Sequence, residues 1–148
     1  MKTLALDFGE RRIGLAVSDP DGRVALPLAT LERTTDRDAV RDIAEIIDFE
    51  QVEVLVVGDP VHVDGSRGDA SERVHRFAAK LTEATGLEPR FVVETLTTVA
   101  ARERLQAAGV DLRKHPERLD STAAQILLEE ALRDPVEPAP PLREEAAT

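Results

Sequence analysis

The chain has no cysteine, no tryptophan and no tyrosine, and its only aromatic rings apart from histidine are four phenylalanines. Without thiols there is no disulfide framework, thiolate zinc site or cysteine nucleophile. A reducing cytoplasm is the compatible compartment. No apolar run reaches the roughly 18 residues of a membrane span. The first twenty positions carry Lys2, Asp7, Glu10, Arg11, Arg12 and Asp19, which leaves no apolar stretch for a signal peptide. Secretion and membrane insertion are therefore not expected. Positive charge is also in deficit: 19 Lys and Arg stand against 29 Asp and Glu, a formal net charge of −10. That argues against holding nucleic acid by bulk electrostatics, which rests on neutralising phosphates; it leaves local basic patches open. Sixteen of the nineteen basic residues are Arg, the side chain whose planar fork matches a phosphate, although a codon bias explains the count equally well.

What is present suffices for one core. The chain has 148 residues, 42% of them hydrophobic, and a chain of this length buries roughly 68–70% of its unfolded surface without staples. Residues 3–8, 12–17 and 23–28 read as three strands, separated by Gly9 and by the turn Asp19-Pro20-Asp21-Gly22. The intervals are too short for helical crossovers, so an antiparallel meander is expected. From Asp36 the period changes to helical, with Ala39, Val40, Ile43, Ala44 and Ile47 on one face, and a buried strand is expected over 52–57. A loop, 59–68, leads to a second helix with Ala70, Val74, Phe77, Ala78 and Leu81 inward, ending near Gly86. A short strand at 91–93 precedes a helix that Thr97 or Thr98 can cap and Gly109 ends. The last helix is expected from Asp120 toward Leu132, and 134–148, with four of the nine prolines, reads as a disordered tail after a domain spanning 1–133. The class is α/β: a mixed five-stranded sheet with helices on both faces.

Three acids stand where chemistry could sit. Asp7 ends an apolar strand, where an ionised carboxylate is costly unless paired or bound to a cation; a plainer role is to accept N–H bonds in the Phe8-Gly9 turn. Glu94 is the first polar residue after Phe91-Val92-Val93, at the strand end where open α/β sheets bind ligands; alone, it is equally a Glu facing water. Asp120 precedes a helical run and is a natural N-cap. Together the three could converge on one oxygen-ligand site for a hard cation, and would repel one another without it. Two such ions about 3.5–4 Å apart cleave phosphodiesters in known enzymes. The alternatives are poorer. His62, His75 and His115 lack zinc-site spacing, no Gly-x-Ser-x-Gly elbow surrounds a serine, and no P-loop is present.

The strings from Leu4 to Asp19, Val56-Val57-Gly58-Asp59-Pro60 with Asp64-Gly65-Ser66, Glu94-Thr95-Leu96-Thr97-Thr98, and Leu119-Asp120-Ser121-Thr122-Ala123-Ala124 together resemble the YqgF/RuvX family, in order and spacing, over residues 3–132. The resemblance implies a ribonuclease H-like fold and a metal-dependent nuclease, described for the family both as a Holliday junction resolvase and as an enzyme maturing the 5′ end of pre-16S ribosomal RNA. It implies that Asp7, Glu94 and Asp120 form the acidic triad holding Mg²⁺ or Mn²⁺, two ions in all, with Asp7 bridging them. Arg118 falls where the family often has Lys. Two departures stand out: Val93 and Thr95 replace an acid and an Arg beside Glu94, and Asp59 replaces an apolar residue before Pro60. A carboxylate at Asp59 either disfavours nucleic acid or joins the metal shell.

The leading expectation is a phosphodiesterase on structured nucleic acid, pre-ribosomal RNA before DNA junctions, with Arg11, Arg12, Arg67, Arg113 and Arg118 contacting phosphates. It would act as a monomer or a homodimer. A binding module of the same fold that does not cut comes second. An ATP-binding domain of the actin and sugar-kinase type, suggested by Asp7, Gly9 and Gly14, comes last, because the chain is too short for the paired domains that type requires.

Overall fold

The computed structural model describes residues 1–9, 11–60, 64, 66, 68–94 and 97–133. The tail expected over 134–148, together with His62 and Arg67, lies outside the described residues. Strands β1 (Thr3–Phe8), β2 (Arg12–Ser18) and β3 (Ala25–Glu32) are followed by α1 (Asp36–Glu50), β4 (Val54–Asp59), α2 (Asp69–Thr85), β5 (Pro89–Val93), α3 (Thr97–Ala107) and α4 (Glu117–Arg133). The sheet order is β3-β2-β1-β4-β5. The first three strands form the expected meander, and β4 and β5 add in parallel beside β1.

Strand alternation sorts side chains onto two faces. Leu4 and Leu6 of β1, Ile13 and Leu15 of β2, and Leu55 and Val57 of β4 pack with Ile43 and Ile47 of α1 and Val74, Phe77 and Leu81 of α2. Their neighbours Ala5, Ala16 and Val56 face the other way, onto Ala124, Leu127, Leu128 and Ala131 of α4. The sheet residues beneath α4 include small ones for a reason: the helix lies close across β1, β2 and β3. Helix α3 then packs on the outer side of α4 through Ala101, Ala123 and Ile126.

Several boundaries differ from the sequence expectation, each for a local reason. The third strand starts at Ala25 rather than at 23, because the Asp19 carboxylate accepts from the N–H groups of both Arg23 and Val24 at 2.7 Å and holds them in the turn. The fourth runs from Val54 through Asp59 instead of over 52–57: Val52 N–H is taken by Ile47 O at the end of α1, and those of Glu53 and Val54 by Lys2 O. The fifth begins earlier, at Pro89. Helix α4 begins at Glu117, directly after Pro116, so Asp120 lies inside its first turn and is not its N-cap. Thr97 is likewise the first residue of α3, with its hydroxyl turned to Glu94.

The tightest junction is at Gly14. A Cβ there would sit 2.0 Å from the carbonyl oxygen of Asp120 and 2.3 Å from its carbon, both main-chain atoms that cannot swing aside. Gly14→Ala is therefore expected to cost about 3 kcal/mol or more in urea unfolding, at or beyond the upper end of ordinary overpacking. A variant as stable as the parent would mean that α4 can lift off β2 freely.

Candidate active site

The parity that sorts the core also aims the acids. Ala5 faces α4, so Asp7, two residues on, faces it too. Asp7 is only 4% exposed and lies opposite Gly14 in the β1–β2 register. Because the main chain of Asp120 rests on Gly14, the first turn of α4 is brought down beside Asp7. Gly9 repeats the device: its N–H donates to Arg12 O at 2.8 Å to close the β1–β2 turn, and a Cβ on it would meet Asp120 Oδ1 at 2.8 Å. From β2, Arg12 Nε donates to Asp120 Oδ2 at 3.1 Å.

The third acid arrives from the other side. In the β1–β4 register Leu6 lies beside Val57, so Asp7 and Gly58 follow as the next residues along. Gly58 also faces α4, and a Cβ there would lie 3.2 Å from the Glu94 carboxylate and 3.1 Å from Leu127. Glu94 follows directly on β5, its N–H donating to Asp59 O at 2.9 Å. Its Oε1 accepts from the Thr97 hydroxyl at 3.2 Å. Gly9 and Gly58 thus clear the space into which two carboxylates project, and Gly14 the space for the Asp120 main chain.

Electrostatics mark the pair as under-neutralised. Burial pushes Glu94 up to about 7; the Thr97 hydroxyl opposes that shift and the neighbouring Asp120 adds to it. Asp120 is also raised, by burial first, against the lowering pull of Arg12. Among the described residues no group of three or more His, Asp or Glu side chains is set to hold a metal ion as it stands. The donor chemistry nevertheless suits a hard cation: carboxylate oxygens only, two of the three groups disfavoured as anions by burial.

Asp59, the departure noted in the sequence, does not join these acids. Being next to Gly58 it points to the opposite sheet face, where Ser71 Oγ donates to its Oδ1 at 2.5 Å and His75 Nε2 lies 2.8 Å from its Oδ2. Of the arginines, Arg12 is engaged with Asp120, while Arg11, Arg113 and Arg118 are exposed. The sequence reading missed Thr97 as a partner of Glu94, although the three-residue spacing at a helix start was a usable signal.

The chain is similar to several known proteins. The RuvX family profile, described as "Holliday junction resolvase", matches residues 1–134. A protein of Maridesulfovibrio salexigens named "Putative pre-16S rRNA nuclease" is 44% identical over 130 residues, covering 87% of this chain and 96% of its own. One of the same name from Chloroflexus aurantiacus is 40% identical over 129 residues, covering 87% and 84%. Among solved structures, the fowlpox virus resolvase in complex with Holliday junction DNA superposes with a TM-score of 0.58 at 10% identity, over 90% of this chain and 98% of that one. Thermus thermophilus RuvC with its junction substrate gives 0.55 at 14% identity, over 90% and 95%. These structural matches confirm the ribonuclease H-like fold.

The raised Glu94 has a consequence for stability. Between its ordinary value of 4.5 and about 7, the folded state keeps a proton that the unfolded state has released, so rising pH disfavours the fold, fully so above 7. In EDTA, Glu94→Gln is expected to match the parent near pH 4.5 and to exceed it by roughly 1–3 kcal/mol at pH 8, read from urea unfolding. Equal stability at pH 8 would show that Glu94 ionises in the fold at no cost.

Proposed function

The chain belongs to the RuvX family, and from that premise we propose that it is a hydrolytic nuclease cutting phosphodiesters of structured nucleic acid, with the 5′ end of pre-16S ribosomal RNA as preferred substrate. The observation that carries the reading is the delivery of Asp7, Glu94 and Asp120 from three separate elements to one face and one end of the sheet. The names of relatives at 40–44% identity support RNA. The family description supports a DNA four-way junction as the second reading; paired cuts in a junction need two sites and hence a homodimer, whereas trimming an RNA end needs one. The cytoplasm is the compartment that goes with a ribosomal substrate, and no helix of the described residues is long and apolar enough to cross a membrane.

We assign Asp7, Glu94 and Asp120 as the ligands of Mg²⁺ or Mn²⁺, two ions in the full set. A divalent cation, when bound, supplies Lewis-acid stabilisation of charge on the phosphodiester and lowers the pKa of water. The chain supplies the rest. Asp7, buried in β1, fixes the floor of the site. Thr97 orients Glu94 by donating to one carboxylate oxygen, which leaves the other above Gly58. Arg12 balances Asp120 in the free protein and can turn its guanidinium to a substrate phosphate once a cation takes over that role. Arg11, Arg113 and Arg118 are exposed and available for flanking phosphates, and Arg67 completes the proposed set. Water adds at phosphorus, the bond from phosphorus to O3′ breaks, and a 5′-phosphate and a 3′-hydroxyl result.

Cleavage of a labelled pre-16S leader RNA and a four-way DNA junction, side by side with Mn²⁺ or EDTA, tests this. The parent is expected to cut the RNA with Mn²⁺ only, and Asp7→Asn, still folded by circular dichroism, to fall to background. Retained activity in Asp7→Asn would overturn the triad. Absence of both cutting and Mn²⁺ binding by calorimetry in the folded parent would replace the nuclease with a non-cleaving nucleic-acid module.

A further inference from the structure

One buried titratable group has no part in the chemistry above. Asp59 is 3% exposed, and a carboxylate so enclosed is tolerated only when hydrogen-bond donors replace its water. Ser71 and His75 supply two such bonds, at 2.5 and 2.8 Å. They lie four residues apart on α2, so one helix face presents both donors. Ser71 is wholly buried. The His75 ring is fixed a second time: it stacks on Phe91 with centroids 3.9 Å apart and planes at 17°. Since Nε2 faces a carboxylate oxygen, that nitrogen carries the hydrogen.

The cluster sits back to back with Glu94. The same Asp59 that binds α2 through its side chain accepts the Glu94 N–H through its carbonyl at 2.9 Å. Phe91, against which His75 stacks, lies three residues before Glu94 on β5 and pairs with Val57 of β4. Both strand ends that lead to Glu94 are therefore tied to one turn of α2, by contacts lying on the face away from the acids. This matters because Glu94 is held at a strand terminus, beyond the last β4–β5 pair, Asp59 with Val93. Val93 is half-exposed and adds little packing there.

We infer that Asp59, Ser71 and His75 form a positioning device for Glu94, transmitting the rigidity of α2 through the sheet to the carboxylate on the other side. None of the three touches substrate. Removing either donor takes one of these bonds from Asp59 in a dry setting, where a lost bond to a charged group is costly, and frees the β4–β5 ends to shift. Misplacement of a reacting group by about 1 Å is enough to lower turnover on the order of a hundredfold. The inference rests on Glu94 being a site residue, and its primary readout is independent of activity.

The experiment is amide hydrogen exchange by NMR on the full chain, comparing the parent with Ser71→Ala and His75→Leu. The Glu94 amide is expected to exchange at least tenfold faster in both variants, while Leu6 and Val57 in the core strands keep their rates. His75→Gln, which can still donate to Asp59, is expected to recover most of the protection. On an RNA that the parent cuts, kcat should fall tenfold or more in Ser71→Ala and His75→Leu with KM within twofold. Unchanged Glu94 exchange would overturn the inference, and so would a uniform acceleration of all three amides, which marks a general loss of stability. Faster Glu94 exchange with unaltered kcat would overturn its catalytic part. A parent that cuts nothing would refute the nuclease reading alone, leaving the exchange result to stand or fall by itself.

Discussion

The seating of the α4 main chain on Gly14 is the constraint from which the rest of the site follows. Helices normally stand off a sheet by the thickness of the side chains between them. Here the carbonyl of Asp120 occupies the volume where a Cβ of residue 14 would be, so helix and sheet meet backbone to backbone. That contact sets the height of α4 above β1 and β2, and with it the depth of Asp120. It also explains the run of small residues, Ala5, Ala16 and Ala124, along the same seam.

Against that close packing stands the cost of burying charge. Glu94 and Asp120 sit in a partly dry setting, and burial raises both acids, opposed at Asp120 by Arg12 and joined at Glu94 by a smaller repulsion from Asp120. The fold meets that cost elsewhere, in two apolar layers on either side of the sheet. An apolar replacement at these positions would give a more comfortable protein. The proposed cation site accounts for acids at positions where they carry this cost.

Much of this was legible in the sequence because it depends on period and spacing. The meander follows from intervals too short for a crossover, and the inward faces of α1 and α2 follow from Ala39, Ile43 and Ile47 and from Val74, Phe77 and Leu81. Asp7, Glu94 and Asp120 stood out by position and by family resemblance. What could not be read needs tertiary knowledge. The Asp19 carboxylate competes with the sheet for two N–H groups, which moved β3 by two residues. Asp120 looked like a cap because the first turn of α4, from Glu117, carries no apolar period of its own. At the start of the loop expected over 59–68, Asp59 has no assignable face; only the extension of β4 to include it reveals that it points away from the acids. Arg12 was expected to meet a phosphate, and nothing local signals that its partner lies 108 residues away.

That distance along the chain has a further meaning for the order of events in folding. The strands β1, β2 and β3 are adjacent in sequence and can pair while the chain is short, whereas α4 must return across almost the whole molecule to land on Gly14. Contacts that close long loops form late. During synthesis the acid-bearing floor on β1 emerges well before its opposite wall on α4. A growing chain therefore pairs its first strands before it has the proposed site, whose two walls meet only when α4 docks.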